Sequence, residues 1–478
     1  MSYQVPQNID PNKIFLVNFA ELEGRWDPMY YSNRFHFANF IKFSSIAKLK
    51  GGKRIPLGRD YSPTPTRFLY LRVADMTDDG LVDFSKFKCI DEVVYKELQR
   101  YEIFNDDLVI SIAGTIGKLA VVKGVPEHTH VILTENCAKI VINKRNILAE
   151  YLKLVLQLPI LQKQIVLSYI QTTIPKLGLD KIMGLKLPPI PSLKEQKSIV
   201  EFYKKAFYEY KQKFLESKQK LASIDQYLLG ELGITLPEDS HEKTFIVNYK
   251  DVDGGRLDPY SHKPYFSSAF ENIKREYDLF SIKQISLLIT SGITPLSGSD
   301  AYTNRKEGVA FVRSGDIDIN GNIDFDNLLY IKHNIHNAIM KSSQVQKNDI
   351  MIAIVGATIG RIGIYYSNEP ANINQAIALV RLKENFLPDY IKEVLQSSIG
   401  QLNLDKMKRP VARANINLDE IGQIIIPIPP INKQQEIADH ISAIRAEAKR
   451  LEQEGEEILQ SARLQVEHII LGEKDIEG

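Results

Sequence analysis

Apolar and polar positions follow two different periods along this chain. Short β-rich runs come first: "RFLYLRV" (67–73), "DLVISIAG" (107–114), "KLAVV" (118–122) and "AKIVIN" (138–143), set apart by Gly, Asp and Asn. Their length and branched side chains predict strands joined by turns. The stretch "AEYLKLVLQLPILQKQIV" (149–166) reads as a helix, and "LPPIPS" (187–192) follows it. Proline removes backbone donors and keeps the preceding residue extended, so a stiff, non-helical strap is expected there. Beyond the strap Val200, Phe207, Phe214, Leu221 and Leu228 recur every seven residues, interleaved with Tyr203, Tyr210, Ser217 and Ile224. That is the seam pattern of a coiled coil.

The whole series then repeats. "FLVNF" (15–19) returns as "FIVNY" (245–249), and "GRWDP" (24–28) as "GRLDP" (255–259). "FLYLRVADMTDDGLVDF" (68–84) matches "VAFVRSGDIDINGNIDF" (309–325), pairing Arg72 with Arg313, Asp75 with Asp316 and Gly80 with Gly321. "GTIGK" (114–118) is answered by "GATIGRIGIYY" (356–366). "PDYIKEVLQSSIGQLNLDKM" (388–407) repeats the helix, "IPIPP" (426–430) the strap, and "LLGE" (228–231) returns as "ILGE" (470–473). Aligned without gaps, "LPPIPSLKEQKSIV" (187–200) sets Glu195 against Gln434 of "IPIPPINKQQEIAD" (426–439). A duplicated unit is expected, each copy a mixed α/β globular region followed by a long helix, an α+β chain overall.

The second seam runs through Ile437, Ile444, Leu451 and Ile458, alternating with Ile441, Ala448, Gly455 and Ala462. Neither seam can stand alone in water. The first carries bulky Phe and Tyr, the second small Ala and Gly, so the helices are expected to pack on each other, antiparallel; oligomerisation through one seam is the alternative. The expected divisions are 1–190, 191–232, 233–430 and 431–472.

Composition narrows the function. Of 478 residues, 60 are Lys or Arg and 59 Asp or Glu, a balance that neither demands nor excludes nucleic acid. Two cysteines cannot make a disulfide framework and suit a reducing compartment. With no apolar run near the roughly 20 residues of a membrane span, a cytoplasmic chain without membrane contact is expected. "GTIGK" is not a phosphate loop: its glycines are too close, Lys118 precedes Leu119 instead of a hydroxyl, and a strand follows where a helix is needed. Asp27-Pro28-Met29-Tyr30 and Asp258-Pro259-Tyr260 lack the second proline of the Asp-Pro-Pro-Tyr motif of amino-methyltransferases, and capped turns are expected instead. Glu195 and Lys197 imitate a nuclease Glu-x-Lys but stand at a helix start, where an acid favours the dipole. His128 and His130 have no partner cluster, so neither metal nor cofactor is expected. No Ser/His/Asp or Cys/His set recurs in both copies.

What recurs is positive charge among loop residues. The first copy holds Lys48, Lys50, Lys53, Arg54 and Arg59 with Tyr61; the second holds Arg305, Lys306, Lys408, Arg409 and Arg413. Arg72 and Arg313, and Lys118 and Arg361, occupy repeated positions. Such residues neutralise phosphates and read base edges, so these are the candidate DNA-binding side chains. The glycine-turn pair, the strap-and-Gln starts (187–196 and 426–435) and the two-copy order together resemble the specificity subunit of Type I DNA restriction–modification systems. That resemblance implies two target recognition domains, each reading one half of a split site in double-stranded DNA. It implies paired helices that space the domains and dock two methyltransferase subunits, which bind S-adenosylmethionine. A further restriction subunit would translocate and cleave DNA, and this chain would carry no catalysis. The other readings are a coiled-coil scaffold without a DNA role and a self-sufficient enzyme.

Overall fold

A computed structural model describes residues 16–17, 39–85, 87–143, 146–168, 176–237, 244–249, 258–266, 268, 277–408 and 415–474. The repeated openings 15–19, 24–28 and Asp27-Pro28-Met29-Tyr30 therefore lie almost wholly outside the described residues. The chain divides into two compact units, Met1–Lys211 with Gly455–Gly478, and Gln212–Glu454.

In the first unit the strands are β1 (Ile41–Lys42), β2 (Ala47–Gly51), β3 (Phe68–Leu71), β4 (Lys88–Cys89), β5 (Glu102–Ile103), β6 (Leu108–Ser111), β7 (Leu119–Val121), β8 (His130–Leu133), β9 (Cys137–Ile142) and β10 (Lys186–Leu187). Its helices are α1 (Glu92–Leu98), α2 (Ala149–Gln157), α3 (Pro159–Ser168), α4 (Leu179–Met183) and the start of α5 (Leu193–Glu231). Strands β1 and β10 pair alone; one four-stranded sheet has the order β2-β9-β6-β7 and is antiparallel, and the second runs β4-β3-β8-β5 around a parallel β3–β8 pair. Strand β6 is apolar on both faces and buried throughout. Leu108 and Ile110 meet Tyr151, Leu152 and Val155 of α2, while Val109 meets Leu69, Leu71, Val131 and Leu133 of the second sheet. The far face of that sheet is covered by Val94, Tyr95 and Leu98 of α1. An unbroken apolar run is what a strand between two packed layers requires.

The second unit repeats this order. Its strands are β11 (Asp278–Ser281), β12 (Ser286–Ser291), β13 (Tyr302–Thr303), β14 (Gly308–Val312), β15 (Leu329–Lys332), β16 (Gln344–Val345), β17 (Ile350–Ala353), β18 (Ile362–Ile364), β19 (Ala371–Ile373), β20 (Ile377–Leu382) and β21 (Ile425–Ile428). Its helices are α6 (Ile282–Ile285), α7 (His333–Asn337), α8 (Pro388–Gln396), α9 (Ser398–Met407), α10 (Leu418–Gln423) and most of α11 (Ile431–Ile470). Sheet β12-β20-β17-β18 is again antiparallel, and sheet β13-β15-β14-β19-β16 again centres on a parallel pair, β14–β19, with β13 added at one edge. Ile350 and Ile352 face Tyr390, Ile391 and Val394, and Met351 faces Val312 and Ile373.

Three expectations are refined. The helix read over 149–166 is two helices, because Pro159 cannot continue α2. The same break recurs without proline at Ser397, and Gly400 follows, where a Cβ would stand 2.2 Å from the carbonyl of Val394. The second strap is partly sheet: Pro427 lies in β21 opposite Leu279, where its missing N–H is tolerated. The long helices pair antiparallel. Within the second unit Lys213 meets Glu454 at 2.6 Å, Ser217 meets Glu452 at 2.9 Å, and Lys433 meets Glu231 at 2.5 Å. Within the first, Ile199, Val200 and Tyr203 pack with Val466, Ile469 and Ile470.

The heptad seam holds along α11 and lapses in α5 at Phe214. Val200, Leu228, Ile437 and Leu451 are buried, and Phe207, Leu221, Ile444 and Ile458 half-buried, but Phe214 is exposed beneath Lys218. In α11 the interleaved positions Ile441, Ala448, Gly455 and Ala462 are all buried, as the heptad reading expects, and Ser217 and Ile224 are buried in α5. Gly455 stays inside the continuous helix.

Candidate nucleic-acid interface

The basic loop of the first unit is set by one glycine. A Cβ on Gly52 would lie 2.0 Å from the carbonyl of Thr134, so only glycine lets β2 pass the β8–β9 junction. Lys48 and Lys50 alternate with Leu49 and project to solvent, and Lys53 is exposed just beyond. Arg54, 83% exposed, donates to Glu135 at 2.9 Å. Glu135 also accepts from Thr134 Oγ1 at 2.9 Å and Tyr70 Oη at 3.2 Å. Partial burial pushes its carboxyl up, but these donors and its own N–H outweigh that and hold it below the usual range. Tyr61 stands edge-on to Tyr70 with ring centres 5.9 Å apart, and Lys88 lies over its face. Arg59 reaches Glu97 at 3.8 Å. Arg54, Arg59, Tyr61, Tyr70, Glu135 and Asn136 line an open hollow of about 600 Å3.

Arg72 lines the same hollow while paired within its own turn, and other predicted cations are engaged elsewhere. Arg72 forks onto Asp75 (3.0 and 2.5 Å) and Arg313 onto Asp316 (3.1 and 2.7 Å), closing a short 3-10 turn in each unit. Lys118 pairs with Asp78 at 3.0 Å, and Arg361 donates to the carbonyl of Ile317 at 2.9 Å. These four repeat because they brace the same loops. Arg305 and Lys306 are exposed in the loop before β14, while Lys408 pairs with Asp405. Arg409 and Arg413 lie outside the described residues. The "GTIGK" turn joins antiparallel β6 and β7, with Gly114 at φ +75° and Gly117 at φ +80°; Gly356 (+73°) and Gly360 (+88°) repeat it. Asp258 caps the turn at Pro259, accepting from the N–H of Ser261 at 3.1 Å. Among the described residues no group of three His, Cys, Asp or Glu is placed to hold a metal, and no helix is long and apolar enough to cross a membrane.

The sequence reading marks the glutamine at each helix start but takes Gln435 as the second one and gives neither a seating role. Gln196 is fully buried; its Nε2 donates to the carbonyls of Asn146 (2.8 Å) and Pro191 (2.9 Å), and its Oε1 accepts from the N–H of Leu148 (2.9 Å). Gln434 does the same toward Pro429 (2.9 Å) and Leu387 (3.1 Å). The two glutamines are therefore counterparts, and Glu195 corresponds to Lys433. The Glu195-to-Gln434 difference read from the ungapped alignment is a one-residue slip. The burial of both amides was the missing signal.

Two stretches, 39–243 and 276–460, match the model of the type I restriction modification DNA specificity domain. The chain belongs to the type I DNA specificity family. Over 152 residues it is 34% identical to the specificity subunit of type I restriction enzyme EcoBI from Escherichia coli, a match covering 31% of this chain and 31% of that protein. A chain assigned as the specificity subunit of type I restriction enzyme MjaX, from Methanocaldococcus jannaschii, is 23% identical over 390 residues, covering 79% of this chain and 80% of the relative. A chain from a structure concerned with complex assembly and conformational transition of the type I R-M system shares the fold, with a TM-score of 0.54, 13% identity, and 91% and 98% of the two chains covered. Each specificity domain thus comprises two larger sheets, a two-stranded sheet, their helices and a glutamine-seated long helix.

Proposed function

We propose that this chain reads a two-part sequence in double-stranded DNA, one part through each globular region, and carries no catalysis itself. The observation that carries the proposal is the presence of two specificity domains folded on one topology while their exposed loops differ in sequence and charge. Residues 1–190 and 233–430 are the reading domains, and 191–232 and 431–472 the helices that fix their spacing. The exposed basic loop of the first domain supports a phosphate footprint, and the hollow beside it offers Asn136 and Arg54 for base edges. Phe202, Tyr208 and Leu215 on α5 and Leu464 on α11 lie exposed, away from the seam, as docking residues would. Their partners on this reading are two methyltransferase subunits bearing S-adenosylmethionine, joined by a restriction and translocation subunit.

Domain exchange tests it. Replacing residues 40–180 by those of a chain with another target should change one half of the methylated sequence and leave the other half and the spacer intact. Methylome sequencing reads the outcome, and an unchanged site would refute the proposal.

A further inference from the structure

Both units expose a leucine at the tip of the same loop. In the first, the loop between β2 and β3 turns at Pro56-Leu57-Gly58-Arg59, closed by the N–H of Arg59 donating to the carbonyl of Pro56 at 3.0 Å with Gly58 at φ +81°. In the second, the loop between β12 and β14 turns at Leu296-Ser297-Gly298-Ser299, closed by the N–H of Ser299 donating to the carbonyl of Leu296 at 3.1 Å with Gly298 at φ +73°. Each leucine follows a proline, and each loop starts at a glycine wedged against a carbonyl, Gly52 and Gly292. Leu57 is 106% exposed and Leu296 82%. Each turn holds its leucine outward. Pro56 and Pro295 fix φ just before each leucine and a backbone hydrogen bond closes each turn, while Tyr302 Oη donates to the carbonyl of Pro295 at 2.9 Å.

A rigid, outward apolar residue flanked by cations has a specific complement. Lys53, Arg54 and Arg59 surround Leu57 in sequence, while Arg305 and Lys306 stand beyond β13, in the turn that follows the loop of Leu296. The cations match phosphates, but a leucine gains nothing from a phosphate. On DNA its gain comes from the apolar part of a base, a thymine methyl or an opened base step. We infer that Leu57 and Leu296 enter a groove of the DNA as paired apolar base contacts, one for each half of the target. The inference rests on the proposed DNA reading and names the residue that would make each contact. The turns hold the side chains ready, so little ordering entropy opposes binding.

The test uses the full chain assembled with its methyltransferase subunits and the duplex whose methylated site the methylome identifies. Fluorescence anisotropy compares that duplex with versions scrambled in one half. Wild type must discriminate first; failure there would overturn the proposed function and this inference with it. Given discrimination, Leu57→Ser is expected to weaken binding of the intact site about tenfold or more, the loss expected for one exposed leucine. It should leave the weak, salt-dependent binding of the fully scrambled duplex unchanged and relax base preference in one half alone. Leu296→Ser should do so in the other half, and Leu57→Met should keep most of the affinity. Undiminished discrimination in both serine variants, equal losses on cognate and scrambled duplexes, or lost co-purification with the methyltransferase would each overturn the inference. Circular dichroism melts matching wild type are expected, because neither leucine is packed.

Discussion

The glycine turn shows how much one side chain decides at the residue scale. Gly356 and Gly360 both sit at positive φ, yet a Cβ on Gly356 would meet nothing within 4 Å, while one on Gly360 would stand 2.5 Å from Oε1 of Gln401. That amide is held by its own donations to the carbonyls of Gly360 and Leu395, both at 3.0 Å, so it cannot retreat without losing them. Gly356→Ala should therefore cost only the backbone strain, about 1–2 kcal/mol. Gly360→Ala adds the displaced amide and should cost roughly 2–4 kcal/mol. Urea unfolding of the two variants checks the order, and equal losses would contradict the account.

At the scale of elements the glutamine staples matter most. Gln196 joins the strap, the residue preceding α2 and the first turn of α5, so helix and globular region are seated by one buried amide. Gln196→Ala strands one N–H and two carbonyls away from water and should cost about 2–4 kcal/mol. Glu195 is exposed and forms a capping box with Ser192 (2.8 and 3.3 Å), so Glu195→Ala should cost far less than Gln196→Ala. Thermal melts of the two neighbouring variants separate a structural staple from a surface cap. A second element-scale contrast distinguishes the units: Asp225 accepts from both the N–H and the hydroxyl of Ser398 at 2.7 Å, capping α9. The corresponding residue of the second helix is Arg463, which with Pro159 at the start of α3 lines a hollow of about 470 Å3.

At the scale of the whole molecule, charge ties each long helix to its own unit. In the first unit Lys211 reaches Asp79 at 2.6 Å and Lys204 reaches Glu150 at 2.8 Å. Burial pushes both carboxyls up, but their lysine partners, with Thr77 at Asp79, outweigh it, and both lie below the usual carboxylate range. Because the folded-state values are depressed, this stabilisation is complete above about pH 4 and is lost as pH falls through the folded values. Lys211 is half-exposed, so the pair is worth at most about 1 kcal/mol. Lys211→Met should melt slightly below wild type at pH 7 and converge with it as the pH falls from about 4 toward 2. A gap that persists in acid would show a packing role for the lysine stem instead. In the second unit Arg445 forks onto Glu393 (3.2 and 2.7 Å), the equivalent tie made from the other helix.

Period and repetition were legible in the chain itself. Two-residue alternation and unbroken apolar runs are local consequences of strand geometry, so the strands, the straps, both long helices and the duplication could be read from residue order alone. Positive charge could be read too, but not its employment. Arg72 and Lys118 look as available as Lys53 until the chain folds and brings Asp75 and Asp78 beside them. The lapse of the seam at Phe214 and the pairing of Gln196 with Gln434 also needed the third dimension. Burial is a property of what packs against a residue, and a one-residue slip in an alignment has no meaning until the hydrogen-bond partners are in place. Leu57 and Leu296 are the converse case: a leucine in a sequence reads as core, and only the turn that carries it outward makes it a contact.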